Sequence, residues 1–216
     1  MPFKGADGAK RRLAGHLTPI ERRELALAML ADVLTALAGA PALSGILLVS
    51  KAPIAAKIAA RFNAECYAET ATDLPGAVVE ASNFLMHERD ARGTLFIPGD
   101  VPLIGADDIE TVLAGHESVT LVPDQYDIGT NCAVSSPPNA FEYVLDGKSF
   151  APHCAAARAA GIEPRIVRTD AFGLDIDTVD ELVALIRRRQ ASQTFTYLES
   201  SGIASRLSAP HNSPAP

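Results

Sequence analysis

The chain has 216 residues, 48% hydrophobic and 21% charged, which suits a single globular domain with a full core. Its formal net charge of -7 argues against a protein that coats nucleic-acid phosphates, and its three widely spaced cysteines, with no Cys-x-x-Cys, support neither a disulfide framework nor a zinc knuckle. No apolar run reaches the ~20 residues of a membrane span and no signal-peptide core follows Met1, so the sequence reads as cytoplasmic.

The chain opens on a loop, "PFKGADGAKRRL". Gly5 and Gly8 let the backbone approach a ligand, while Lys4, Lys10, Arg11 and Arg12 supply positive charge. An α/β domain ordinarily begins with a buried strand, and none precedes this loop. The first strand is therefore expected to be missing or truncated, with the true start several residues upstream.

"TPIERRELALAMLADVLTALAG" predicts a helix, with Thr18 and Glu21 as a capping box around Pro19. Ala26, Met29, Leu30, Val33 and Leu37 share one face of it. "GILLVS" predicts a buried strand, "PIAAKIAARF" a helix, "AECYAE" a short strand, and Leu74 to His87 a helix. "GTLFIPGD" is another strand, broken at Gly99, followed by a short helix from Asp107 and the strand "SVTLVPD". "NCAVSS", "FEYVL" and "SFAPHCAAARAAG" suggest a strand and helix excursion; "PRIVRTD" and "GLDID" lead into a last helix from Val179 to Arg189. The alternation implies an α/β sheet. Residues 1–190 form the expected domain, and the Ser-, Pro- and Ala-rich 191–216 reads as a disordered tail.

Three aspartates carry the chemistry. Asp100 follows a buried strand directly, where α/β sheets place ligands, although a turn aspartate bonded to its own backbone would look the same. Asp175 and Asp177 alternate onto one face, about 7 Å apart along a strand. A second capping box, Thr178 with Glu181, accounts for Asp177 near a helix start but leaves Asp175 unexplained. Two carboxylates on one face need a cation or proton to relieve their repulsion. With Asp100 they would make an oxygen-rich site of the kind Mg²⁺ shares with substrate phosphates.

Further along, Thr130, Asn131 and Ser149 can hydrogen-bond carboxylate or phosphate oxygens, and Gly147 precedes a helix N-terminus that favours an anion. A strand edge and an ordinary N-cap would use the same residues. His153 reads as a helix-surface histidine.

Taken in order, the motifs "K-x5-K-x-R-L" (Lys4, Lys10, Arg12, Leu13), "ER..L...ML.DV", "PGDVPL", "GTN", "SFAPH" and "LDIDTVDEL" resemble one family. It comprises the guanylyltransferases that activate a phosphorylated three-carbon acid in coenzyme F-420 biosynthesis. The resemblance covers Lys4 to about Ile186. It implies a single-domain, Rossmann-like mixed sheet of the nucleotide-diphospho-sugar transferase (GT-A-like) type. It also implies GTP as co-substrate, with 2-phospho-L-lactate, phosphoenolpyruvate or 3-phosphoglycerate as acceptor.

Carried over by residue, Asp100, Asp175 and Asp177 resemble the Mg²⁺ ligands. Lys4, Lys10 and Arg12 resemble the catalytic, triphosphate-binding group, and Thr130, Asn131, Gly147 and Ser149 the phosphoacid contacts. A downstream transferase that consumes a labile product, and a homodimer, are compatible partners. Two positions depart from the pattern: Asp146 stands where a glycine is usual, with Gly147 one later, and Leu74-Pro75 replaces Leu-Asn. The alternatives are a molybdenum-cofactor-type nucleotidyltransferase of the same fold, whose Gly-Gly-rich loop is not reproduced here, and a non-catalytic nucleotide-binding module.

Overall fold

The computed structural model describes residues 1–208. Met1 to Phe3 run extended and parallel to the first strand, β1 (Leu47–Val49). Val49 N–H donates to Met1 O at 2.9 Å and Phe3 N–H to Val49 O at 2.8 Å. The opening loop, expected to lack a strand, is thus anchored to the sheet by three residues.

After a 3-10 turn at Arg11–Leu13 comes α1 (Pro19–Gly39), capped as expected. The Thr18 hydroxyl accepts from Glu21 N–H at 3.2 Å, and the Glu21 carboxylate from Thr18 N–H at 2.7 Å. All five residues of its predicted face are buried. The helix runs through the middle of the core: Val33 and Leu37 pack with Ile97, Leu25 and Met29 with Leu174 and Ile176, and Leu30 and Leu34 with Leu48. Truncating a fully buried residue such as Leu34 to Ala would cost on the order of 2–5 kcal/mol.

The order continues with α2 (Ala55–Arg61), β2 (Glu65–Tyr67), α3 (Leu74–Glu88), β3 (Thr94–Phe96), α4 (Ala106–Leu113), β4 (Val119–Pro123) and β5 (Thr130–Ser135). Then follow α5 (Phe150–Ala159), β6 (Arg165–Ile166), α6 (Asp170–Gly173), α7 (Val179–Arg188), α8 (Gln193–Ser200) and α9 (Ile203–Ser208). β1 and β2 pair in parallel, whereas β3-β5-β4-β6 form a mixed sheet with β5 antiparallel to both neighbours. β4 and β5 are buried along their whole length, as expected of strands covered on both faces.

Three expectations are corrected. "FEYVL" forms no strand among the described residues; Phe141 and Tyr143 turn inward and stack on each other, with ring centroids 4.7 Å apart. "GLDID" forms no ladder, yet its alternation holds: Leu174 and Ile176 are buried, Asp175 and Asp177 half-buried. Within the predicted tail, 193–208 are helical. Leu198 and Ile203 are fully buried against Leu25 and Leu182. The Asp32 carboxylate of α1 also accepts from the N–H groups of Gln193 and Thr194 at 2.7 and 2.8 Å. Few but well-spaced apolar residues and one buried cap outweigh the polar composition. The rest of that tail, 209–216, lies outside the described residues.

No described helix is long and apolar enough to cross a membrane. The three cysteines are unpaired, Cys132 buried and Cys66 and Cys154 half-buried.

Candidate active site

Three segments far apart in sequence meet beyond the end of β3. The backbone carbonyl of Asp100 accepts from Ile176 N–H at 3.0 Å, which sets 174–177 alongside it. Because Leu174 and Ile176 are committed to the core, Asp175 and Asp177 face the other way. Glu181 Oε2 then accepts from Asp177 N–H at 2.7 Å and Thr178 N–H at 2.6 Å, fixing the junction with α7.

The third segment is the opening loop. Gly5 and Gly8 adopt φ of 87° and 74°, where a side chain is strained, and a Cβ on Gly5 would come 3.4 Å from that of Ala52. Lys10 is itself left-handed, with φ 52°. Its Nζ lies 2.6 Å from Asp100 Oδ2 and 3.0 Å from Asp177 Oδ1, with only 9% of the side chain exposed. Arg12 Nη1 reaches Asp177 Oδ2 at 3.3 Å. Burial alone would depress the Lys10 pKa, but Asp100 and Asp177 outweigh it and the net shift is upward. Lys4, Gly5, Gly8, Lys10, Arg12 and Asp177 are among the residues that line an open pocket of about 490 Å³.

Asp175 sits beside this cluster. Its pKa is pushed up to about 6, first by burial and further by Asp100 and Asp177, against the opposing hydrogen bond from Asn131 Nδ2 at 3.2 Å. The three predicted metal ligands therefore share one neighbourhood. Among the described residues, however, no three acidic, histidine or cysteine side chains converge as a ready-made cage. Mg²⁺ is usually held by one or two carboxylates plus substrate phosphates, so the donor set fits that ion as a site completed by a nucleotide.

The predicted acid-binding residues form a second, linked group. Ser149 is buried and does not cap α5 with its side chain; its Oγ accepts from Thr130 N–H at 3.0 Å instead. Asn131 donates to Phe172 O at 2.8 Å as well as to Asp175, so its amide N–H groups orient the aspartate. Gly147, at φ 88°, lies on an exposed turn in which Lys148 N–H donates to Asp146 Oδ1 at 2.9 Å.

His153 is the residue that sequence reasoning placed wrongly: it is fully buried. Its Nε2 accepts from Val144 N–H at 3.0 Å, so the proton resides on Nδ1, which faces Thr130 Oγ1 at 3.0 Å. Burial pushes its pKa down to about 4, keeping it neutral. A donated bond on Thr130 Oγ1 leaves that hydroxyl free to donate onward to a ligand. The available signal was the i,i+4 spacing of His153 and Ala157, both on the buried face of α5.

A basic, glycine-containing loop against paired aspartates at a strand end can hold a polyphosphate and offset its charge. Comparison with known proteins gives the family. A phosphoenolpyruvate guanylyltransferase of Sphaerobacter thermophilus is 36% identical over 187 residues, 86% of this chain and 90% of that protein. A 3-phospho-D-glycerate guanylyltransferase of Colwellia psychrerythraea is 29% identical over 188 residues, 86% and 89% of the two chains. In fold, the chain is similar to a crystal structure from Desulfovibrio desulfuricans G20 described as a nucleotide-diphospho-sugar transferase. The TM-score is 0.78 and the identity 18%, over 95% of this chain and 94% of that one. The family described as guanylyl transferase CofC-like matches residues 1–214, and the chain belongs to it.

Proposed function

We propose that this chain transfers GMP from GTP to the phosphate of a three-carbon phosphoacid, releasing pyrophosphate, as a step in coenzyme F-420 biosynthesis. The observation that carries this reading is the Lys10 bridge. A buried ammonium held by Asp100 and Asp177 at 2.6 and 3.0 Å is a cation ready to change partners when phosphates enter.

The acid's own phosphate is the nucleophile, mostly dianionic near neutral pH because its second pKa is ~6. It needs no protein base, and neutral, buried His153 is not placed to be one. A phosphate oxygen forms a bond to the α-phosphorus as the bond to the β-phosphate oxygen breaks, and pyrophosphate leaves with that electron pair. Lys4, Lys10 and Arg12 bind the triphosphate and offset the repulsion between two anions. Thr130, oriented by His153, and Ser149 position the acid. Asp100, Asp175 and Asp177 would hold Mg²⁺, which supplies charge neutralisation on the phosphates when bound.

The test is pyrophosphate release over GTP, CTP and UTP crossed with phosphoenolpyruvate, 3-phosphoglycerate and 2-phospholactate, with and without Mg²⁺. The transferase that consumes the labile product is included in the mixture. Phosphoenolpyruvate comes first, because the relative named for it is 36% identical and the one named for 3-phosphoglycerate 29%. GTP- and Mg²⁺-dependent turnover with at least one acid is expected; none with any pair overturns the reading.

A further inference from the structure

Beside the phosphate loop, a pocket of about 360 Å³ opens between the end of β1 and the start of α3, within the size range of small-molecule sites. Phe3, Val49, Ala52, Leu74 and Ala77 give it apolar walls, and Lys4 lines both this pocket and the phosphate pocket. A nucleotide with its phosphates on the loop would therefore have its base here.

One side of the pocket is the segment 69–73, several of whose polar groups are held by hydrogen bonds. The Glu80 carboxylate of α3 accepts from the Tyr67 hydroxyl at 2.8 Å, from Thr70 N–H and Ala71 N–H at 2.9 Å, and from the Thr70 hydroxyl at 3.0 Å. Lys51 Nζ donates to Ala71 O at 3.1 Å, and Asp73 Oδ1 accepts from Gly76 N–H at 2.7 Å. The segment is fastened at three points. Glu69 differs. It lines the pocket, and its Oε2 is buried with no hydrogen-bond partner among the described residues. A buried carboxylate oxygen without a donor is costly, and turning the Glu69 side chain into the pocket it lines, toward a ligand's N–H groups, would relieve it.

We propose that Glu69 is the residue that selects the nucleobase, accepting the N1–H and N2–H of guanine with its two carboxylate oxygens. The inference rests on the guanylyl-transfer reading and adds to it the group that chooses guanine. A carboxylate is acceptor-only and matches two parallel N–H donors, as it does in a bidentate arginine pair. Guanine offers two such donors side by side on its Watson–Crick edge. Adenine and cytosine set a ring-nitrogen acceptor beside their amino group, and uracil flanks its single N–H with two carbonyls, so each would place a lone pair against the carboxylate. The apolar walls suit the faces of a planar base.

The test is equilibrium binding of GTP and ITP, with Mg²⁺ and no phosphoacid, to the wild type, Glu69→Gln and Glu80→Gln. ITP differs only in lacking the N2 amine. The wild type should prefer GTP by on the order of 10- to 100-fold, as for a lost hydrogen bond to a charged group. Glu69→Gln should collapse that ratio toward one, chiefly by weakening GTP. Glu80→Gln, which loosens the segment without touching the base, should weaken both nucleotides alike and keep the ratio.

A wild type indifferent to the N2 amine, or a Glu69→Gln protein with the wild-type ratio, overturns the assignment. Because no acid is present, the two readings fail separately. Intact GTP selectivity without turnover on any phosphoacid removes the transfer reaction and leaves Glu69 in place. Turnover with an unaltered GTP/ITP ratio in Glu69→Gln does the reverse.

Discussion

Lys10 Nζ and Asp100 Oδ2 lie 2.6 Å apart across 90 positions of sequence, and this contact closes the opening loop onto the end of β3. Lys10 is nearly buried, whereas Arg12 in the same cluster is 73% exposed. The two basic residues should therefore separate in their effects. Lys10→Met leaves Asp100 without its cation and Asp177 with only the exposed Arg12. It should lower stability by roughly 1–2 kcal/mol, less than a fully buried pair because both aspartates are partly wet. Arg12→Ala should change stability by less than about 0.5 kcal/mol. Both should lower pyrophosphate release at least tenfold. Denaturant melts beside the turnover assay check the pair, and equal losses of stability would contradict the burial argument.

The same bridge predicts how the free protein meets its ligands. With Lys10 already on the carboxylates, millimolar Mg²⁺ alone should barely move the melting temperature. GTP with Mg²⁺ at ~100-fold its Kd should raise it by roughly 5–10 °C. In Asp177→Asn the increment that Mg²⁺ adds to GTP should vanish while the fold persists. A large shift with Mg²⁺ alone would show a cage formed without nucleotide.

Acidification should pull stability in two directions. His153 is held at about 4 against an ordinary 6.5. The unfolded chain therefore takes up that proton first, and stability falls between about pH 6.5 and 4. Asp175 is held at about 6 against 3.8. Here the folded state takes the proton first, and stability rises as pH falls through much of the same window. In chelator, melts from pH 8 to 4 should show a steeper acid loss for Asp175→Asn than for the wild type, and a shallower one for His153→Asn. Parallel curves for all three proteins would remove both assignments.

The C-terminal helices should prove integral. Asp32→Ala removes the acceptor for two N–H groups at the start of α8 and should cost on the order of 1–2 kcal/mol. Asp32→Asn, which keeps one acceptor, should cost less. Ending the chain after Gln190 uncovers the apolar surface around Leu25 and Leu182 that Leu198 and Ile203 bury. That protein should be less soluble and cleaved faster by protease than the full chain, at equal concentration.

Much of this was readable in the residues, for reasons that differ by region. α1 announced itself through Thr18, Pro19 and Glu21 and a long apolar face, because capping and helical periodicity are local. Asp100, Asp175 and Asp177 could be grouped because alternation and strand ends are local too. That Lys10 would be the cation between two of them could not, since the contact spans 90 and 167 positions. The His153 misplacement has the same origin: its partners, Thr130 and Val144, come from β5 and from the stretch after it, which turns inward instead of forming a strand. The 193–208 helices were hidden because composition counts polar residues, whereas burial depends on where a few apolar ones fall.

The Lys10 bridge also balances its own charges. Asp100 and Asp177 are matched by Lys10 and Arg12, within a chain that carries a formal charge of -7. These pairs by themselves exert little long-range pull or push on a polyanion approaching from solution. On the proposed guanylyl-transfer reading, admission then depends on a swap at close range, in which Lys10 gives up carboxylate oxygens for phosphate oxygens. Recognition by exchange should leave the association rate only weakly sensitive to ionic strength, unlike capture by a standing field.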